Sequence, residues 1–310
     1  MKADAVFQGG GMRGIGMIGA LTYLEKQGFE WQKVAGTSVG SVIASCLAAG
    51  YSAKELRRII LYTDYTKFMD KSGVQKIPVI GKAFGLFKEK ALYSGDYIED
   101  WIAGLLKAKG VEKFKDISTE GQSRLKIIAS DITRKKLLVL PDDLADYGFD
   151  PMEFKIASAV RMSSSIPFYF KPVKLDYNKG TSYIVDGSVT LNYPINIFDV
   201  EGTPRWPTFG FMFKNERVSF TSEGRCDPIS YMYDIADTLS YDRESRTKSQ
   251  ENLARSIVIP TVGVDSTEFN ISRERNLELY KSGYLSAESF LKSWSFEAYV
   301  EKYRSDHQSA

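Results

Sequence analysis

Histidine and cysteine are nearly absent from this chain: 310 residues hold one histidine, His307, and two cysteines, Cys46 and Cys226. The two thiols form neither a metal-ligand spacing nor a disulfide framework, so both are expected reduced and the expected location is cytoplasmic. His307 sits in the polar run Tyr303-Arg304-Ser305-Asp306-His307-Gln308-Ser309-Ala310, a terminus expected to fray. An activated serine in this chain therefore lacks the usual base. No apolar run is long enough to span a bilayer, and the N-terminus carries Asp4 without the apolar stretch of a signal peptide. Charge imbalance is missing too, since 41 basic against 39 acidic side chains leave a net charge of +2. That balance does not suggest nucleic acid as a partner and is compatible with weak attraction to an anionic surface. Without repeats, low-complexity tracts or a Pro/Ser-rich linker, one domain over 1–310 is expected, with a core over 1–215 and a helix-and-strand extension over 216–310.

Glycine is present where it counts. Ala3 to Gln8 reads as a buried strand, followed by Gly9-Gly10-Gly11-Met12-Arg13-Gly14 and a helix from Ile15 to Gln27 ending at Gly28. Trp31 to Ala35 reads as the next strand, running into Gly36-Thr37-Ser38-Val39-Gly40 and a helix over Val39 to Ala49 closed by Gly50. Strand, glycine loop, helix, strand, turn, helix is the opening of a parallel α/β sheet. A serine between two glycines on a strand-to-helix turn has the spacing of a nucleophile elbow, where larger side chains two residues either side would collide with neighbouring chain. Ser41, Ala44, Ser45 and Ala48 are small enough to let the following helix lie close to the sheet.

The glycine loop has two readings. Gly9, Gly11 and Gly14 satisfy a dinucleotide fingerprint, but its acidic partner, Glu25 or Glu30, ends no clear second strand. The other use is an oxyanion hole, with successive backbone N–H groups converging at a helix N-terminus. With histidine set aside, the base for Ser38 is a carboxylate or a lysine. Asp131 and Asp186 both stand at the ends of expected strands, Leu125 to Ser130 and Tyr183 to Val185, and Gly187 permits a tight turn after Asp186. Further strands are expected at Lys136 to Leu140, Thr208 to Phe213 and Ser256 to Pro260. Helices are expected at Ala53 to Tyr62, Ile229 to Arg246, Ser272 to Ser282 and Leu285 to Ser293. Between Tyr65 and Ala91, lysines alternate with aromatic and aliphatic residues, a composition suited to a lid or to contact with a membrane surface.

Gly9-Gly10-Gly11-Met12-Arg13-Gly14, Gly36-Thr37-Ser38-Val39-Gly40 and Asp186-Gly187-Ser188, in that order and spacing, resemble the three signatures of the patatin-like phospholipase family. Ala157 to Val173 is similar to the family's segment before its aspartate strand, and Phe269 to Leu291 to the C-terminal part of bacterial members. The resemblance implies a three-layer α/β/α fold with a mainly parallel central sheet. It implies Ser38 as nucleophile and Asp186 as the group that takes its proton, framed by Gly36, Gly40, Gly187 and Ser188. It implies an oxyanion hole in the loop from Gly9 to Gly14, built on the N–H groups of Gly10, Gly11 and Met12, with Arg13 anchoring the loop or meeting a lipid phosphate. Ser188 departs from the Gly or Ala usual there and adds a hydroxyl beside Asp186. The implied reaction is hydrolysis of phospholipid or lysophospholipid acyl esters without metal or cofactor, at a cytoplasmic or peripheral membrane location. Acyl transfer by the same serine, or regulated lipid binding with weak esterase activity, are the alternatives.

Overall fold

The computed structural model describes residues 1–70, 91–178, 180–214, 249–266 and 268–304. The expected helix over 229–246, His307 and Cys226 lie outside these residues, as does most of the lysine-rich stretch from Tyr65 to Ala91. The strands are β1 (Lys2–Phe7), β2 (Glu30–Thr37), β3 (Ala91–Tyr93), β4 (Ser118–Thr119), β5 (Gln122–Ser123), β6 (Leu125–Asp131), β7 (Lys136–Leu140), β8 (Phe168–Phe170), β9 (Val173–Tyr177), β10 (Gly180–Asp186), β11 (Thr208–Phe213) and β12 (Ser256–Ile259). The helices are α1 (Gly14–Lys26), α2 (Val39–Ala48), α3 (Ala53–Tyr62), α4 (Asp96–Ala108), α5 (Ile156–Ser163), α6 (Gln250–Ala254), α7 (Arg273–Ser293) and α8 (Phe296–Tyr303).

The central sheet runs β12-β11-β1-β2-β6-β10-β9, with β7 paired to the far half of β6. From β12 to β6 every pairing is parallel, and β1 and β11 are buried along nearly their whole length, as strands covered on both faces must be. Phe7, Phe209 and Phe211 face a core shared with α1, α2, α5 and α7. Val6, Ala35 and Met212 face the other way, under Tyr193 and Ile195. The mostly parallel sheet flanked by helices is the α/β class the sequence leads one to expect.

Two departures matter for the site. β9 and β10 form an antiparallel hairpin on β6, and β9 is unanticipated although Val173, Leu175 and Tyr177 alternate with Lys174 and Asp176. α7 is one helix where two were expected, because Gly283 marks a close approach and not a break. A Cβ on Gly283 would sit 1.7 Å from the carbonyl oxygen of Gly16 in α1.

The register then fixes the heights of the strand ends. Thr37 of β2 pairs with Ile128 of β6, so the top of β2 lies level with the middle of β6. β10 descends along β6 and ends with Asp186 opposite Ala129, one position above that level, while Asp131 stands opposite Ile184. An antiparallel strand thus delivers its last residue to the turn that leaves β2.

Candidate active site

Ser38 occupies the single position between β2 and α2, with φ 53° and ψ −123°. A positive φ in a non-glycine residue is held only when its surroundings over-determine it. Those surroundings are tight: a Cβ on Gly36 would lie 2.2 Å from the Gly40 carbonyl, and one on Gly40 would lie 2.4 Å from the Phe7 carbonyl oxygen. The Ser38 N–H donates to Ser163 Oγ at 2.9 Å, and the Ser163 hydroxyl donates to the Ile128 carbonyl at 2.6 Å. The Ser38 carbonyl accepts from the Ser41 N–H at 2.8 Å and from its hydroxyl at 2.6 Å. Ser38 is therefore pinned by both its backbone groups, leaving its side chain as the variable part.

The glycine loop corrects part of the sequence-based expectation. Gly9 N–H donates to the Asn192 carbonyl at 3.1 Å, Met12 N–H to the Ser266 carbonyl at 3.0 Å, and Arg13 N–H to the Gly10 carbonyl at 3.2 Å. Gly14 N–H donates to the carbonyls of Gly11 and Met12. Met12 is thus withdrawn from the expected oxyanion donors, because its N–H is already satisfied. The N–H groups of Gly10 and Gly11 have no acceptor among the described residues. Gly11 has φ +54°, and a Cβ there would stand 2.0 Å from the Ser266 oxygen, so the loop closes against that carbonyl only with glycine. Arg13 anchors it further, Nε donating to the Val264 carbonyl at 3.0 Å.

Asp186 begins the turn after β10. Its Oδ1 accepts the Ser188 N–H at 2.9 Å, and its own N–H donates to the Ser165 carbonyl at 2.9 Å. Oδ2 is buried and has no partner at hydrogen-bonding geometry among the described residues. Burial pushes the carboxyl up to about 6, against the lowering pull of the Ser188 N–H and of the Ser38 and Ser188 hydroxyls. The Ser38 hydroxyl is thus near enough to act on Asp186 without closing a hydrogen bond to it. The extra hydroxyl of Ser188 donates to Asn192 Oδ1 at 3.0 Å, which ties this turn to the residue holding Gly9.

The other sequence candidate, Asp131, has its carboxylate occupied. Tyr147 Oη donates to Oδ2 at 2.7 Å, and the N–H groups of Thr133 and Arg134 donate to Oδ1 at 2.8 and 2.9 Å. Burial alone would raise its pKa, but these donors, Tyr147 foremost, hold it below the usual value.

Three residues the motifs do not mark surround the pair. Ser163 holds the backbone of Ser38, and Ser165 holds that of Asp186. Between them Ser164 lines a cleft shared with Ser38 and Gly11. A run of three serines inside an otherwise apolar stretch was the available signal. The cleft has about 870 Å³ of empty space including its open mouth, enclosed by α1, α2, α3 and α4 with Phe170 and Phe269. Along α2 it is lined by Ser38, Val39, Val42, Ile43 and Cys46, the spacing of one helical face. The polar residues among its lining are Ser38, Ser164, Cys46, Trp101 and Tyr65, whose hydroxyl is spent on the Ile60 carbonyl at 3.0 Å, and the exposed cleft surface is almost wholly apolar. Among the described residues no group of acidic, histidine or cysteine side chains is arranged to hold a metal, and no helix is long and apolar enough to cross a membrane.

Comparison with known proteins bears on the family and the fold. A family model described as patatin-like phospholipase matches residues 5–199, a span containing the glycine loop, Ser38 and Asp186. YqhO of Bacillus subtilis strain 168 is 36% identical over 300 residues, covering 96% of this chain and 100% of that protein. A protein of Invertebrate iridescent virus 6 named "Probable lipid hydrolase 463L" is 30% identical over 209 residues, 62% of this chain and 61% of the viral one. The fold is shared with VipD from Legionella pneumophila, at a TM-score of 0.57 and 19% identity over 94% of this chain and 67% of that one.

Proposed function

Since this chain belongs to the patatin-like phospholipase family, we propose that it hydrolyses fatty-acyl esters of phospholipids or lysophospholipids through an acyl intermediate on Ser38. The observation that carries the substrate class is the apolar cleft beginning at Ser38 and lined down one face of α2 to Cys46. Eight residues of helix cover about 12 Å, room for a medium-length alkyl chain laid against the helix. Each methylene buried there contributes about 0.8 kcal/mol, so kcat/KM should rise about fourfold per added CH2 until the chain outgrows the cleft.

The chemistry follows from the arrangement of donors and acceptors. Ser38 Oγ attacks the acyl carbon while its proton passes to Asp186 Oδ2, the carboxylate oxygen without a partner. A carboxylate near its ordinary pKa is a weak base, and burial that raises Asp186 to about 6 brings it closer to the serine it must deprotonate. The negative charge that develops on the carbonyl oxygen is taken by the free N–H groups of Gly10 and Gly11, each such donor being worth about 3–4 kcal/mol in the transition state. When the tetrahedral intermediate collapses, the bond to the alcohol oxygen breaks and that oxygen takes the proton from Asp186. Water then repeats the sequence on the acyl-serine, releasing the fatty acid and restoring both groups.

A serine-directed fluorophosphonate should label the wild type and leave Ser38→Ala unlabelled, and neither Ser38→Ala nor Asp186→Asn should sustain turnover of phospholipid vesicles or short-chain esters. Labelling that persists without Ser38 overturns the nucleophile, and full turnover by Asp186→Asn overturns the base.

A further inference from the structure

Ser164 is 8% exposed, is among the residues lining the cleft with Ser38, and has an Oγ with no hydrogen-bond partner among the described residues. A buried hydroxyl left unpaired costs stability, a cost that an acceptor on a bound molecule would remove. Its neighbours say where it stands. Ser163 accepts the Ser38 N–H at 2.9 Å, and the Ser165 carbonyl accepts the Asp186 N–H at 2.9 Å. Ser164 therefore sits between the residue that holds the serine and the residue that holds the aspartate, on the wall of the cleft that receives the substrate.

An ester has two oxygens. The carbonyl oxygen is served by Gly10 and Gly11, and the alkoxy oxygen is the one that must collect the proton Asp186 has taken. We propose that the Ser164 hydroxyl donates a hydrogen bond to this alkoxy oxygen, placing the ester between Ser38 and Asp186 and stabilising the alcohol as it leaves. The proton the alcohol acquires comes from Asp186, and Ser164 keeps its own, so no further acid is required. In the second half of the cycle the same hydroxyl holds the attacking water, which occupies the place of the departed alcohol. This role rests on Ser38 being the nucleophile.

A hydrogen bond to an oxygen gaining charge is worth about tenfold to a hundredfold in rate, and it matters only where the leaving oxygen is basic. Two ester series with one acyl chain test it: alkyl and glyceryl esters, whose alkoxides are poor leaving groups, and nitrophenyl esters, whose phenolates leave unaided. Ser164→Ala should lower kcat/KM for the alkyl series at least about tenfold more than for the nitrophenyl series. Ser164→Thr, which keeps the hydroxyl, should recover the alkyl series. Fluorophosphonate labelling of Ser38 in Ser164→Ala reports that the nucleophile is still assembled. Equal losses on both series, or no loss on either while Ser38 still labels, overturn the role of Ser164 and leave the nucleophile standing. Turnover that survives Ser38→Ala overturns the nucleophile itself.

Discussion

Asp131 at the end of β6 and Asp186 at the end of β10 are both buried, on paired strands, two ladder positions apart. Around Asp131 the Tyr147 hydroxyl and two backbone N–H groups fill the carboxylate, and its pKa lies below the ordinary value. Around Asp186 one backbone N–H fills Oδ1, Oδ2 is left over, and the pKa is pushed up to about 6. Both side chains are hidden from solvent, but Asp186 lies deeper in the protein, so burial and donors act together: three donors outweigh a smaller burial cost at Asp131, and one backbone donor fails to outweigh a larger one at Asp186.

The widest separation is expected in turnover. Asp186→Asn should lower kcat by at least about ten-thousandfold, because it removes the group proposed to take the serine proton directly, while Asp131→Asn should stay within about tenfold. Comparable losses in steady-state ester hydrolysis would break the contrast. Stability should run in the opposite sense. Asp186, with its folded pKa raised, favours the folded state below the unfolded value of 3.8 and loses that contribution as pH rises through about 6. Asp186→Asn is therefore expected to be more stable than wild type at pH 8, by up to about 3 kcal/mol in denaturant unfolding. Asp131, with its folded pKa lowered, contributes above its unfolded value and loses the contribution as pH falls through the folded one, so Asp131→Asn should lose about 1–3 kcal/mol at pH 8.

Smaller effects sharpen the same distinction. The base must be ionised, so kcat/KM should fall toward acid pH with a midpoint near 6 in the wild type. Tyr147→Phe, which frees an oxygen of Asp131, should leave that midpoint in place and cost about 1 kcal/mol of stability. Ser188→Ala keeps the backbone donor to Asp186 and removes only the weakest of the lowering pulls, that of a hydroxyl whose proton goes to Asn192, so its midpoint should not move down. A downward move in that titration contradicts the assigned direction.

The strand-loop-helix order and the crowded turn at Ser38 were legible because each is written in neighbouring residues. Gly36 and Gly40 reveal a crowded turn, and Gly187 a tight one. What was not legible depends on residues distant in the chain. Nothing near Met12 shows that its N–H is taken by Ser266, and nothing near Asp131 shows that Tyr147 will reach it. Gly283 reads locally as a helix end because its reason, the carbonyl of Gly16, lies on another helix. The serines at 163–165 carry no pattern of their own, and their meaning comes from two strands and a turn that they happen to join.

The match to the family ends at residue 199, yet the carbonyls of Val264 and Ser266 grip the glycine loop through Arg13 and Met12. Motif-bearing and motif-free parts of the chain are therefore not interchangeable modules. A chimera joined at the family boundary would carry all three signatures and still inherit a foreign brace for its first one, so recombination with relatives should succeed only when the turn at 264–266 travels with the loop it supports.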